Sequence, residues 1–444
     1  MNIKKIILII ILFFLISGCS DSQVNNTAAV NPGTEIDILK DSKKYYNYSE
    51  NVVTHKNDDG SKTIYVYSTP IEKNYDHIND MDEYYHYEGL LVNNYFPKKL
   101  SKNTPLKSEQ KDDFISIVPI ENNEYEVTQK NIKNAFGQVN QAYKYTNMFG
   151  KGTEYRCWPT SFGINTEIVL SEYNGENIFK IKIQLPVSFP DMNSPDYIMF
   201  KNILDDQDEN DVRSLIYTPF AIDKNKKWSY RNSVKLLEKE KSTNIYTVQY
   251  TIDEEFLKNA KYPVTLNQSI YLYTPKQPDT SAYEKTGDDA HHYLSPYLFL
   301  GDRTPKGKGL AYIRYEILNE MDILLNDIVS AKYVFHNLLD SSKQTYIRAY
   351  AVTSEWCSIN TRWHNRSEFD EKPVSQVAVK KKGDYNMDIT SLFKEMIKNK
   401  GNPNKKYTID NGFVIKSDTK DSNIILSSGD SGLYSPYLEI VVKN

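Results

Sequence analysis

Gly309-Leu310-Ala311-Tyr312-Ile313-Arg314-Tyr315-Glu316-Ile317 alternates along its whole length. Ala311, Ile313, Tyr315 and Ile317 fall on one side, and Tyr312, Arg314 and Glu316 on the other. This is the period of a strand with one face on a core. The pattern recurs downstream. Ile328 to Phe335 places Ala331, Tyr333 and Phe335 on one side, and Tyr346 to Val352 gives a third strand. Asp388-Ile389-Thr390 opens a helix that runs through Lys398. Thr390 can cap it, and Leu392, Phe393, Met396 and Ile397 form its apolar stripe. Asn411 to Lys416, Asn423 to Leu426 and Tyr437 to Val442 are closing strands. Many short strands with one helix predict a jelly-roll-type β-sandwich over residues 275–444.

Upstream, residues 48–274 read as a β-rich N-terminal domain, so the fold class is mainly β. Thr63 to Ser68, Phe114 to Val118, Tyr125 to Thr128, Asn165 to Leu170 and Thr247 to Ile252 are strand candidates. In Ile178 to Leu185, Ile181 and Ile183 face a core while Lys180 and Lys182 face water. Asp76 to Tyr87, rich in Asp and Tyr and holding His77 and His86, reads as a loop with a short helix. Asp253 caps one helical turn ending near Lys258. The chain holds 35 tyrosines, a residue suited to strands and half-wet surfaces.

Residues 1–18 have the layout of a secretory leader. Lys4 and Lys5 precede an apolar run from Ile6 to Ile16, too short to span a bilayer, then Ser17-Gly18-Cys19. The segment resembles the bacterial lipoprotein signal, which implies acyl chains on Cys19 and a membrane as the first partner. Residues 19–47 are polar and read as a flexible tether. The folded part is then expected outside the cytoplasm, on the cell membrane and facing the extracellular side of a single-membrane bacterium. Formal net charge is -4, and loss of Lys4 and Lys5 makes it -6. That mild acidity argues against a nucleic-acid partner. Lys380-Lys381-Lys382 reads as a solvated hairpin end. Cys157 and Cys357 read as free, buried thiols in different domains.

Residues that carry chemistry are sparse. The sequence has no Gly-x-Ser-x-Gly elbow, His-Glu-x-x-His pair, phosphate loop or dinucleotide fingerprint, and no cofactor is expected. Asp206 to Asp211 starts like a calcium loop but has Asp211 and Tyr217 where glycine and glutamate are needed. Asp288, Asp289, His291 and His292 form the densest metal-ligand cluster, although adjacent histidines on a strand point to opposite faces. His77 and His86, with nearby acids, are the acid–base candidates. Trp356 and Trp363 can stack on a sugar, with Arg362, Asn365 and Arg366 placed to bond its hydroxyls. The competing reading is that both rings pin a long loop to the sandwich.

Two resemblances follow from ordered motifs. Phe256 to Asn267, with Tyr262-Pro263-Val264-Thr265, resembles the segment closing the β-rich N-terminal region of wall-associated repeat proteins, with Asn267 and Gln268 where an acidic residue and proline are usual. Leu300-Gly301, Ile313-Arg314-Tyr315, Ile328 to Ala331, Trp356, Thr361, Trp363, Asn365, Asp388-Ile389-Thr390, Asn411-Gly412-Phe413, Ser427-Ser428 and Ser435 to Leu438 together resemble the DNRLRE-type domain, related to carbohydrate-binding module family 96. Arg362, His364 and Tyr315 depart from its pattern. The resemblance implies a non-catalytic surface lipoprotein that binds polysaccharide or cell-wall material through residues 275–444. The alternatives are a structural or adhesion module with a surface-protein partner, and a polysaccharide hydrolase or lyase with its site in residues 48–274. A groove holding two carboxylates in that domain is the mark of the enzyme.

Overall fold

The structure, a computed structural model, describes residues 45–443 except 50, 69–77, 90–91, 112, 122, 134–138, 161–162, 187, 192–193, 195, 203–211, 230, 240–243, 273–278, 286–291, 293, 303, 305, 359–360, 403 and 430–433. Cys19, His77, the acidic run 206–211, Asp288, Asp289 and His291 lie outside the described residues.

The fold is mainly β. Among the described residues, four antiparallel sheets pair into two sandwiches. The outer sandwich has one sheet in the order Tyr45–Ser49, Val52–Lys56, Lys62–Tyr67, Tyr437–Val442, Ile328–Asn337, Ile424–Ser427, Tyr297–Leu300, with Gly383–Asp388 also on Ile328–Asn337. Its second sheet runs Asp279–Tyr283, Gly309–Ile313, Phe413–Ser417, Thr345–Ala351, Ser375–Val379. Leu300, Ala311, Ile313, Tyr333, Phe335, Ile347, Ile415 and Ile440 fill the space between them, and Leu392, Phe393, Met396 and Ile397 of helix Thr390–Lys398 join this core.

Two strands that chain order places in the N-terminal domain, Val52–Lys56 and Lys62–Tyr67, belong to this outer sandwich. Lys62–Tyr67 pairs antiparallel with Tyr437–Val442 over six residues, Lys62 opposite Val442 through Tyr67 opposite Tyr437. Val52, Ile64 and Val66 enter the same core. The other sandwich, residues 78–271, is therefore an insertion between the third strand of the outer sandwich and the rest of it. One of its sheets centres on Val264–Tyr271, Gly163–Leu170 and Thr153–Thr160; the other runs from Ser233–Lys239 to Ile78–Asp80.

The alternation at Ile178–Gln184 holds: Phe179, Ile181 and Ile183 are buried, Lys180 is exposed and Lys182 half-buried. Asp253 caps helix Glu254–Asn259, accepting from the Phe256 N–H at 3.2 Å. Three local expectations change. Asp76 to Tyr87 is a strand pair in its described part, Ile78–Asp80 with Tyr84–Glu88, because neighbouring strands supply the ladder that its own periodicity does not advertise. The strand at Gly309 ends at Ile313, and a short 3-10 turn, Glu316–Asn319, follows. Thr390 does not cap its helix. Its hydroxyl and the Ala331 backbone bond each other, and the Asp388 carboxylate accepts from the Thr390 N–H at 2.9 Å.

Tyrosine is a core residue here. Tyr143, Tyr145, Tyr155, Tyr250, Tyr312 and Tyr333 are among the largest fully buried side chains. Cys157 and Cys357 are both free. Cys157 is buried, and burial pushes its thiol well above the usual range. Cys357 is exposed, contrary to the expectation of two buried thiols.

Candidate functional site

The tryptophan loop leaves strand Thr345–Ala351 and crosses one face of the outer sandwich. Trp356 is only 7% exposed and packs with Leu310, Tyr312, Tyr350, Val352 and Val414. Its indole N–H donates to the Asn411 carbonyl at 2.8 Å. The Arg314 guanidinium lies 4.5 Å over the ring and donates to the Trp356 carbonyl. Trp356 therefore pins the loop and offers no face to solvent. Trp363 is half-buried against the same cluster beside Phe369, with the Arg366 guanidinium 4.7 Å over its ring. The Arg362 N–H donates to Asn365 Oδ1 at 2.6 Å, which closes the turn that presents Trp363. Asn365 itself is exposed.

Next to this turn is an open groove of about 590 Å³, lined by Thr353, His364, Arg366, Glu368, Phe369, Asp370 and Lys406 among others. Lys406 Nζ is 2.7 Å from Asp370 Oδ1, and the Tyr407 hydroxyl donates to Asp370 Oδ2 at 2.8 Å. The groove joins hydrogen-bond donors and acceptors of both charges to one aromatic ring. A hydroxyl-rich ligand needs that mixture, since each hydroxyl both donates and accepts. Of the residues that sequence reading put forward, Arg366 lines the groove, whereas Arg362, Trp363 and Asn365 stand in the turn beside it and Trp356 is buried; Lys406 was missed because it arrives from a loop some forty residues on without any local signal.

A second cluster stands where the sandwiches meet. Asp196, at a turn of the inserted sandwich, meets His292 and Lys306 of the outer one. His292 Nδ1 is 2.7 Å from Asp196 Oδ2, and Lys306 Nζ contacts both Asp196 oxygens. The Lys306 ammonium also lies 4.8 Å from the Tyr283 ring centre. Burial alone would raise the Asp196 carboxyl; Lys306 and His292 overcome it and hold the group well below the carboxylate range. Burial, reinforced by Lys306 and opposed by Asp196, pushes His292 down to about 4. A neutral His292 donates through Nδ1 to the carboxylate. His292 thus serves the junction, and among the described residues no group of three His, Cys, Asp or Glu is placed to hold a metal.

Stability follows from that histidine. The unfolded chain binds its proton near pH 6.5 and the folded chain only near 4, so folding is favoured more as pH rises through that window. Lowering the pH from 6.5 to 4 is expected to remove about 3 kcal/mol. His292→Gln keeps a donor for Asp196 and should flatten this part of the profile, as read from urea midpoints at pH 4.5 and 7. An unchanged slope in the variant rules the histidine out as its source.

The inserted sandwich carries a larger groove, about 1020 Å³, lined by Ile120, Tyr125, Met148, Phe149, Ile178 and three glutamates, Glu121, Glu124 and Glu176. All three glutamates are exposed, so this groove carries the carboxylates named above as the mark of the hydrolase or lyase alternative, at solvent-exposed positions. Glu124 pairs with Lys99 at 2.6 Å, and Asn123 donates to Glu121 at 2.5 Å. His86 stacks on Tyr95 on another part of this sandwich, with ring centres 4.5 Å apart. Comparison with protein-family models and with curated proteins finds no match.

Proposed function

We propose that this chain is a non-catalytic surface lipoprotein, anchored through Cys19, that binds a polysaccharide or other cell-wall polymer in the groove beside Trp363. The observation that carries this reading is the groove itself: Thr353, His364, Arg366, Glu368, Asp370 and Lys406 line one open channel of about 590 Å³ at the edge of an aromatic cluster. An open channel suits a polymer that passes through. Arg366 contributes a planar donor fork and covers Trp363. Trp356 is left out of the site because its ring is buried.

The test is retention of the full chain on purified cell-wall polysaccharide fractions and a glycan array. Arg366→Ala and Trp363→Phe are expected to weaken binding at least tenfold, about 1.4 kcal/mol, with the melting temperature held within a few degrees. A folded parent chain that retains no glycan, or variants that bind as the parent does, would sink the carbohydrate reading and favour a surface-protein partner.

A further inference from the structure

Leu324, Leu325 and Val329 are 67%, 36% and 48% exposed. A single exposed aliphatic residue is ordinary. Three within six positions, with Leu324 the most exposed large apolar side chain among the described residues, form a knob. Its position is defined by strand register. One row across the outer sheet runs Tyr45, His55, Thr63, Val441, Ser330, and the next runs Lys56, Lys62, Val442, Ile328. The turn bearing Leu324 and Leu325 directly precedes Ile328, and the Lys443 N–H donates to the Asp327 carbonyl at 2.8 Å. The knob and the point where the chain enters the fold, Tyr45, are therefore at the same end of the same sheet.

Cys19 stands 26 residues before Tyr45. We propose that this end of the outer sandwich rests on the lipid surface, with Leu324, Leu325 and Val329 entering the interfacial layer. The assignment relies on the reading of Cys19 as the lipidated residue. The lipid draws this end of the fold to the bilayer first, and tethering makes the second contact effectively intramolecular, so a small apolar knob suffices. Lys56, Lys62, Lys400 and Lys443 share this end with Asp58, Asp59, Asp322 and Asp327, the last within the apolar segment itself. That mixed charge favours neither sign of headgroup, so the contact is apolar and requires no anionic lipid. It also leaves the inserted sandwich, which the chain enters after Tyr67 at the other end of these strands, away from the first point of membrane contact.

The experiment uses the full chain, lipidated in a bacterial host and reconstituted in phosphatidylcholine vesicles. Cys357→Ser removes the exposed thiol, and Cys157 is buried. A fluorophore is then attached through Leu324→Cys or, at the opposite end of the sandwich, through Tyr346→Cys; Tyr346 is 40% exposed. A nitroxide-labelled lipid should quench the probe at 324 at least threefold more than the probe at 346, and aqueous iodide should quench it less. Equal lipid quenching at both positions overturns the proposal. So does a probe at 324 shielded from iodide without lipid quenching, which would mean that protein covers the knob. Flotation of the parent chain with the vesicles, lost in Cys19→Ser, reads the anchor separately. A chain that never floats removes the anchor and the surface assignment together, whereas a floating chain with no quenching at 324 removes only the latter.

Discussion

A chain cut to residues 275–444 is expected to lose cooperative folding. The cut removes Lys62–Tyr67, whose backbone pairs with Tyr437–Val442, and takes Val52, Ile64 and Val66 from the core of the outer sandwich. Burying one such side chain contributes about 1.5–3 kcal/mol, so three approach the ~5–15 kcal/mol by which a domain is stable at all. The cut also bares the edge of Tyr437–Val442, a strand rich in β-formers and an invitation to edge-to-edge association. Thermal melts and size exclusion check this: the fragment should melt without a sharp transition, or run as an aggregate. Fusing residues 45–67 to it through a glycine–serine linker, in place of the inserted sandwich, should restore a monomer with a cooperative melt. A sharp melt from 275–444 alone would show that the first three strands are an ornament on a complete sandwich.

That dependence marks what could and could not be read from sequence. Strands such as Ile178–Gln184 and Thr345–Ala351 were legible because burial on one face writes a period of two into the residues themselves. The helix Thr390–Lys398 was legible from its stripe. The partner of Lys62–Tyr67 was not, because no residue near either strand encodes a pairing across some 370 positions. A polar strand such as Tyr84–Glu88 shows no alternation because much of it is half-buried. The site divides in the same way. Trp356 and Trp363 are alike in sequence and seven positions apart, yet Asn411 and Arg314 bury the first, while the second stays at the surface. The groove took Lys406 from a loop beyond the helix, and the junction took Asp196 from a turn with no motif.

Asp196→Ala should cost about 3–5 kcal/mol, the range for removing one partner of a buried ion pair. The Lys306 side chain is 11% exposed, so its charge would remain buried without the carboxylate that balances it, and His292 would lose the acceptor of its Nδ1–H. Two apolar clusters surround the junction, Phe220 and Ile222 with Tyr283, Phe299 and Ile425, and Tyr197, Met199 and Tyr217 with Leu294. They hold the sandwiches together around a polar centre, which the Tyr297 hydroxyl extends by donating to Asn267 at 3.1 Å. The expected result therefore concerns coupling as much as stability. The parent chain should unfold in urea as one transition with a steep slope, since the slope scales with the surface exposed together. Asp196→Ala should separate into two shallower transitions, one per sandwich. Adding Lys306→Met removes the stranded charge and should recover much of the loss, because apolar replacement of a whole buried pair is often neutral or better. Raising salt should not rescue the single variant, as a buried charge is poorly screened. If Asp196→Ala keeps one transition with an unchanged midpoint, the apolar clusters hold the junction and the ion cluster contributes nothing to it.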